Sequence, residues 1–263
     1  MAEAAATHLT PVTLELGGKS PVIVTADANI ELAASWIAFS RFLNAGQVCI
    51  ASDHVYVHRR VEQALLDQLC AQITRWYGDD RRRSDLCRII NRRHAQRLAA
   101  LLDGQGYELV CGGKVDTEER YVSPTVVRNV APDAAVMREE IFGPILPVVA
   151  FDDLAEPIAA INRGDKPLAL YRFSSSREDM HRVLVETPYG AVCVNDAIEH
   201  VLVPSLPFGG VGHSGYGAYH GQWGFEAFTH RKAVLRQPPW MPDLPMLNPP
   251  DTRIKEALTR RVF

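Results

Sequence analysis

A cysteine lies just behind a glycine, where an apolar helical pattern has ended, in the run Asn44-Ala45-Gly46-Gln47-Val48-Cys49. A glycine after such a pattern predicts that the helix stops and the chain turns. A turn exposes the sulfur and presents the backbone N–H of Cys49, which favours a nucleophilic thiolate. Position alone favours a buried, inert cysteine, so the nucleophile hypothesis depends on other segments.

A glutamate at the end of a predicted strand is flanked by leucines and followed by glycines, in the run Leu14-Glu15-Leu16-Gly17-Gly18. Apolar neighbours remove water from a carboxylate, which raises its pKa and makes it a usable general base. The segment therefore predicts Glu15 as a base for the chemistry of Cys49. A surface glutamate at a strand–turn junction explains the same pattern, and this segment alone does not separate the two.

Two glutamates and a phenylalanine stand before a Gly-Pro turn, in the run Glu139-Glu140-Ile141-Phe142-Gly143-Pro144. The Gly-Pro pair restricts the backbone and holds these side chains in place. A carboxylate can accept hydrogen bonds from both hydroxyls of a ribose, and an aromatic ring can pack against a nicotinamide. The alternative is a solvated acidic turn with Phe142 in the hydrophobic core.

A fourth segment, residues 207–215, is rich in glycine. It has no Gly-Lys-Ser/Thr ending and no helix clearly follows it, which argues against a phosphate-binding P-loop. The nine histidines show no H-E-x-x-H or comparable spacing, so no metal site is predicted.

Strand-like and helix-like patterns alternate along the chain and predict an α/β fold, with a largely parallel sheet and helices on both faces. In such sheets, sites gather at the carboxyl ends of the strands. Strands are predicted at 21–24, 54–57, 107–111, 145–151, 168–173 and 191–194. Helices are predicted at 30–42, 61–76, 94–102, 154–162 and 178–186. The proline-rich sequence after Gln237 predicts an extended tail with one short terminal helix.

Composition and charge narrow the class of protein. The 263 residues are 47% hydrophobic and 22% charged, and the net charge of −3 leaves no basic footprint for nucleic acid. The five cysteines form no C-x-x-C pair, which favours a reducing compartment such as the cytoplasm over a disulfide framework. No apolar stretch of about 18 residues and no secretory signal pattern occur, so no membrane segment is predicted.

The four segments together resemble those of the aldehyde dehydrogenase superfamily. The matching pieces are LELGGKSP at 14–21, NAGQVC at 44–49, EEIFGP at 139–144 and PFGGVGHSG at 207–215, in the family's order. The stretches 88–91, 166–171 and 217–221 resemble the class 3 and coniferyl-aldehyde branch. The resemblance extends to about Leu235 and is to the C-terminal catalytic half of such enzymes.

The resemblance implies oxidation of an aldehyde to a carboxylic acid with NAD or NADP as cofactor. Carried over by motif, Cys49 is the nucleophile that forms a thiohemiacetal and then a thioester, and Glu15 activates the water that hydrolyses it. Glu140 binds the ribose, Phe142 positions the nicotinamide, and Gly17 belongs to the cofactor site. The class 3 features favour aromatic or medium-to-long aliphatic aldehydes, and the family implies a homodimer.

The resemblance also implies three segments: 1–19 as a remnant of the dinucleotide-binding domain, 20–210 as the catalytic domain, and 211–263 as a bridging or oligomerisation segment with a proline-rich tail. Chains of this family are longer, and their front half, with the main cofactor-binding domain, has no counterpart here. The sequence therefore predicts a truncated chain with impaired activity of its own. Two alternatives stay open: a non-enzymatic remnant that pairs with a full-length subunit, and a weak thiol esterase that needs no cofactor.

Overall fold

The computed structural model describes residues 1–78, 85–104, 106–240, 249 and 252–262, in two compact units, 1–228 and 229–263. The strands of the first unit are β1 (Leu14–Glu15), β2 (Pro21–Val24), β3 (His54–His58), β4 (Glu108–Cys111), β5 (Val115–Asp116), β6 (Tyr121–Val122), β7 (Thr125–Arg128), β8 (Ile145–Phe151), β9 (Ala169–Phe173), β10 (Ala191–Val194) and β11 (Gly215–Tyr216). Its helices are α1 (Ala2–Thr7), α2 (Ile30–Phe42), α3 (Glu62–Tyr77), α4 (Arg92–Leu102), α5 (Ala135–Arg138), α6 (Ala155–Arg163), α7 (Arg177–Glu186) and α8 (Gly221–Ala227).

Seven strands form one sheet in the order β10-β9-β2-β3-β8-β7-β4. Neighbouring strands are parallel except for β4 and β7 at one edge, which are antiparallel. Two small antiparallel sheets, β1 with β11 and β5 with β6, stand apart from it. The predicted α/β class with a largely parallel sheet is confirmed.

Helices cover both faces of the sheet, because alternate residues of a strand point to opposite sides. In β2, Val22 and Val24 belong to a core that includes buried residues of α2 and α3. Ile23, between them, belongs to a second core that includes buried residues of α6 and α7. Burial on both faces explains why the parallel strands read as continuous apolar runs.

Predicted elements with a strong apolar pattern agree with the structure to within two residues. Their helix ends follow the expected capping chemistry: Asn29 accepts the Leu32 N–H at 3.1 Å, and Asn91 accepts the His94 N–H at 2.9 Å. Gly78, with a φ of 65°, ends α3. The short elements β5 to β7, α1, α5 and α8 are not predicted from the sequence, because two to seven residues are too few to show a period.

The residues predicted for chemistry lie at the amino ends of the strands, so the expectation of a site at the carboxyl ends is wrong. Glu15 precedes β2, Cys49 precedes β3, and Glu140 precedes β8. The amino ends of parallel strands all lie at the same end of the sheet. The segments that lead into these strands therefore converge there. At the opposite edge, backbone and side-chain groups that follow β9 donate hydrogen bonds to the carboxylate of Asp27.

The C-terminal unit contains α9 (Arg253–Val262), which confirms the predicted terminal helix. Much of the predicted extended tail, 241–248 and 250–251, lies outside the described residues. Within the described ranges, no helix is both long enough and apolar enough to cross a membrane. The division of the chain into segments 1–19, 20–210 and 211–263 stays a prediction.

Candidate active site

The turn that carries Cys49 is built from consecutive left-handed residues. Asn44, Ala45 and Gly46 have φ angles of 51°, 54° and 73°, and together they reverse the chain after α2. A Cβ atom on Gly46 would overlap the carbonyl oxygen of Gly143, so the turn requires a glycine there for two reasons. Cys49 is left half-buried, which agrees with the predicted access to its sulfur.

The electrostatic surroundings of Cys49 favour the neutral thiol. Burial raises the pKa of the thiol above its ordinary value, and the carboxylates of Glu15 and Glu140 raise it further. The backbone N–H groups of Cys49 and Ile50 act in the opposite direction, because they stabilise the thiolate. The sulfur therefore needs a base to accept its proton, and both carboxylates are close enough to influence it.

Glu15 lies on a surface strand. Its strand β1 pairs with β11 in a separate two-stranded sheet, where Glu15 is exposed and Leu16 is 60% exposed. The prediction that flanking leucines remove water from this carboxylate is therefore wrong. The pairing is nevertheless close, because a Cβ atom on Gly215, which stands opposite Glu15, would overlap the carbonyl oxygen of Leu14.

Tyr219 belongs to the site, although the sequence assigns it no role. Its hydroxyl donates a hydrogen bond to Oε2 of Glu15 at 2.9 Å. Two backbone hydrogen bonds to Phe208, at 3.0 and 2.9 Å, and an edge-on contact between their rings hold it in place. Burial, then Glu15 and then Cys49 raise the pKa of Tyr219 to about 12, so the phenol remains a donor. The 217–221 stretch is the sequence signal, and it does not reveal the contact with Glu15.

Glu140 lies against Gly17 and Gly18, two glycines that come shortly after the end of β1. Its Oε2 atom accepts the Gly18 N–H at 3.3 Å, and a Cβ atom on Gly17 would overlap the same oxygen. Burial, assisted by the charge of Asp53, raises the pKa of Glu140 to about 7. These three residues line a cleft of about 440 Å³.

Phe142 is presented to solvent by an unusual backbone. Its φ of 45° is left-handed, which is uncommon for a bulky residue, and 40% of its surface is exposed. Its neighbour Ile141, by contrast, is buried. The alternative in which Phe142 belongs to the core is therefore wrong. Backbone strain of this kind costs on the order of 1–3 kcal/mol and is often found where a loop presents a functional side chain.

Two residues that line the cleft, Glu140 and Gly17, together with Phe142 of the same loop as Glu140, fit a nicotinamide cofactor. The carboxylate of Glu140 receives one backbone N–H and has lone pairs left for the hydroxyls of a ribose. The exposed ring of Phe142 offers an apolar face to a nicotinamide. Gly17 keeps the space beside the carboxylate free of a side chain.

Gly17→Ala is expected to weaken cofactor binding about tenfold or more, that is by at least ~1.4 kcal/mol. A Cβ atom at a φ of 82° is strained, and it would also displace the carboxylate of Glu140. Fluorescence titration with NAD and NADP measures the loss. Gly78→Ala is the matched control, because Gly78 has a φ of 65° and no described atom within 4 Å of the added Cβ. Equal losses of cofactor affinity in both variants would contradict a role for the Gly17–Glu140 contact.

Residues 1–234 match the model of the aldehyde dehydrogenase family. The chain belongs to this family. Human aldehyde dehydrogenase family 3 member B1 is 49% identical to it over 248 residues, which are 94% of this chain and 53% of the human protein. The rat dimeric NADP-preferring aldehyde dehydrogenase is 46% identical over 233 residues, or 88% of this chain and 51% of the rat protein. The predicted resemblance, including its class 3 features, is confirmed.

Solved structures show the same fold. The substrate-bound state of Staphylococcus aureus AldH matches with a TM-score of 0.94 at 41% identity, and the match covers 100% of this chain and 57% of that one. The chain spans about half the length of the curated relatives it matches.

Proposed function

We propose that this chain oxidises an aldehyde to a carboxylic acid with NAD or NADP, through covalent intermediates on Cys49. The observation that carries the proposal is the convergence of a thiol, two carboxylates and a phenol on one site: Cys49, Glu15, Glu140 and Tyr219. Thioester chemistry requires a nucleophile, a base and groups that orient them. The rat relative is named as NADP-preferring, which supports a nicotinamide cofactor.

The first step is addition of the Cys49 sulfur to the aldehyde carbon. The S–C bond forms as the carbonyl π bond breaks, and the carbonyl oxygen becomes an oxyanion. Because the thiol is neutral at the start, Glu15 accepts its proton. The backbone N–H of Cys49 stabilises the oxyanion.

The second step oxidises the adduct. The bound nicotinamide would supply the acceptor for the hydride that leaves the aldehyde carbon. Glu140 would hold the ribose of the cofactor, and Phe142 would lie against the nicotinamide ring. Loss of the hydride restores the C=O bond, so Cys49 carries a thioester.

The third step hydrolyses the thioester. Glu15 first releases to solvent the proton that it took from Cys49. It then accepts a proton from a water molecule, whose oxygen attacks the thioester carbon, and the C–S bond breaks. The sulfur of Cys49 leaves with the bonding electrons and recovers a proton from Glu15. Because Tyr219 donates to Oε2 of Glu15, the other carboxylate oxygen stays free to accept the proton.

An apolar stripe on α2 favours aldehydes with aromatic or medium-to-long aliphatic tails. Leu32, Phe39 and Leu43 are 38%, 41% and 41% exposed, and Trp36 packs edge-on against Phe39. Residues three and four apart share one face of a helix, so Leu32, Trp36 and Phe39 form a stripe on α2, and Leu43 directly follows the helix. The stripe ends at the turn that carries Cys49, which places an apolar surface beside the nucleophile.

Tyr219→Phe is expected to lower turnover about tenfold, because it removes a hydrogen bond to a charged group worth about 1.5–3 kcal/mol. The same change in a Glu15→Gln background should have little effect, since Tyr219 acts through Glu15. Steady-state rates of the single and double variants measure this coupling. Tyr216→Phe, in a neighbouring exposed tyrosine, is the matched control. Additive effects of the two changes would contradict the positioning role of Tyr219.

The proposal is tested by incubating the purified chain with benzaldehyde or a medium-chain aliphatic aldehyde and NAD or NADP. We expect the reduced nicotinamide and the carboxylic acid in equal amounts, because each turnover transfers one hydride. Ester hydrolysis without any aldehyde oxidation would favour the thiol esterase alternative. A folded chain that forms neither product would overturn the proposal for this chain alone and favour function as a partner of a full-length subunit.

We further propose that the chain forms a homodimer in the cytoplasm. The rat relative is named as dimeric, which supports the oligomeric state. The free cysteines among the described residues are compatible with a reducing compartment. Light scattering of the purified chain tests the dimer, and a monomer at micromolar concentration would contradict it.

A further inference from the structure

Charged side chains form hydrogen bonds with the backbone of the segment 136–143. This segment leads into β8 and carries the proposed cofactor residues. Lys19 contacts this segment from the loop that precedes β2. Its Nζ atom donates to the carbonyl oxygens of Val136 at 2.9 Å and Glu139 at 2.8 Å. Lys19 directly follows the glycines that contact Glu140, so two neighbouring parts of one loop hold the same segment.

Asp53, one residue before β3, contacts both Lys19 and the segment 136–143. Its carboxylate is 2% exposed, forms an ion pair with Lys19, and accepts the Ile141 N–H through Oδ1 at 2.9 Å. Arg41 lies 3.9 Å from the same oxygen and donates to the carbonyl oxygen of Gly143. We call Lys19, Asp53 and Arg41 the charge clip.

The clip consists of charges held with little water. Burial opposes the charge of Asp53, but Lys19, the imidazole of His54 at 3.5 Å and then Arg41 outweigh it and hold the pKa of Asp53 well below its usual range. Burial lowers the pKa of Arg41 to about 10, which leaves it protonated at neutral pH. Buried charge groups of this kind often add no stability over well-packed apolar residues. A gain in stability therefore does not explain the charge clip. Its contacts with one functional segment indicate that it positions that segment.

We propose that Asp53 is a positioning residue which, through the charge clip, holds the segment 136–143 and with it Glu140 beside Cys49. The inference rests on the proposed function, because Glu140 is there the cofactor carboxylate. Without the clip, Arg97 still donates to the carbonyl oxygen of Glu140 at 3.4 Å, so the segment loosens and does not detach.

Asp53→Asn tests the proposal, because it keeps the shape of the side chain and removes the charge. Amide hydrogen exchange of the segment 136–143 is expected to accelerate, with Ile141 as the most affected residue. Alkylation of Cys49 by iodoacetamide is measured at a pH well above 7, where Glu140 is ionised in both chains. It is expected to accelerate about three- to tenfold relative to the exposed Cys87, since the charge of Glu140 moves away from the sulfur. Mass spectrometry reads both signals in the same sample and needs neither cofactor nor turnover.

Two further variants separate positioning from general destabilisation. Asp27→Asn removes a carboxylate that is hydrogen-bonded at the opposite edge of the sheet, and it should leave both signals unchanged. Lys19→Met removes the ion pair and two carbonyl contacts at a side chain that is 19% exposed, so it serves if Asp53→Asn does not fold. Unchanged signals in a folded Asp53→Asn or Lys19→Met variant would overturn the proposal. So would a uniform acceleration that includes the buried Cys193.

A second arm distinguishes this proposal from the proposed function itself. NAD is expected to protect Cys49 of the unaltered chain from alkylation, and Asp53→Asn should need about tenfold more NAD for equal protection. If NAD gives the unaltered chain no protection, the cofactor role of Glu140 is wrong for this chain. The amide exchange of the segment 136–143 decides on the clip in either case.

Discussion

Cys49→Ala is expected to lower the rate of aldehyde-dependent cofactor reduction by about 10⁴-fold or more. The change removes the atom that bonds to the aldehyde carbon, so no oxyanion forms to expel the hydride. The buried Cys193 does not replace it, because its sulfur contacts Nδ1 of His200 at 3.2 Å and burial raises its pKa to about 11. The absorbance of the reduced nicotinamide measures the rate.

Cys87→Ala is the matched control for this experiment. Cys87 is exposed, so its loss should leave the rate unchanged and shows that removal of a thiol is not harmful in itself. Thermal melting of both variants confirms that they fold. A Cys49→Ala variant with more than about a tenth of the original rate would contradict covalent catalysis at Cys49.

Glu15→Gln is expected to lower turnover at neutral pH by about 10²–10⁴-fold, because the amide keeps the shape of the side chain but accepts no proton. The effect should differ between the two steps as the pH rises. The thiol of Cys49, whose pKa is raised above its ordinary value, ionises without a base in alkaline solution, and its addition to the aldehyde then recovers. Hydrolysis still lacks its base, so the thioester on Cys49 accumulates.

Glu108→Gln is the control, because Glu108 is also an exposed glutamate of a strand and pairs with Arg128 at the surface. This pair is screened by water and lies outside the candidate site, so turnover should be unchanged. Rapid-quench kinetics at neutral and alkaline pH separate acylation from hydrolysis. Full recovery of turnover by Glu15→Gln in alkaline solution would contradict the role of Glu15 in the hydrolysis step.

The parts of the fold that can be predicted from the sequence are those in which burial requires apolar residues at regular spacing. The buried face of α2 packs against one core and the apolar run of β2 packs against two, so the spacing of their apolar residues predicts both elements well. Such patterns do not predict whether the site lies at the amino or the carboxyl ends of the strands. It depends on which loops converge, and here the segments that enter the strands converge.

The parts of the site that escape prediction depend on contacts between distant residues. Tyr219 meets Glu15 across 204 positions because β1 pairs with β11, and each of these strands has only two residues. Lys19 and Asp53 are ordinary surface residue types, and their burial depends on the closure of three loops around them. The strand β1 also lies outside the seven-stranded sheet whose faces the helices cover, and its Glu15 is exposed.

The central claim is that Cys49 carries the acyl group during turnover. The most direct test is to incubate Glu15→Gln with benzaldehyde and NAD or NADP in alkaline solution, quench in acid, and determine the mass of the Cys49 peptide. The account predicts a benzoyl group on Cys49 that depends on the cofactor and is released slowly. An unmodified Cys49 peptide from a sample that has reduced the cofactor would contradict it, because oxidation would then have taken place without the thioester.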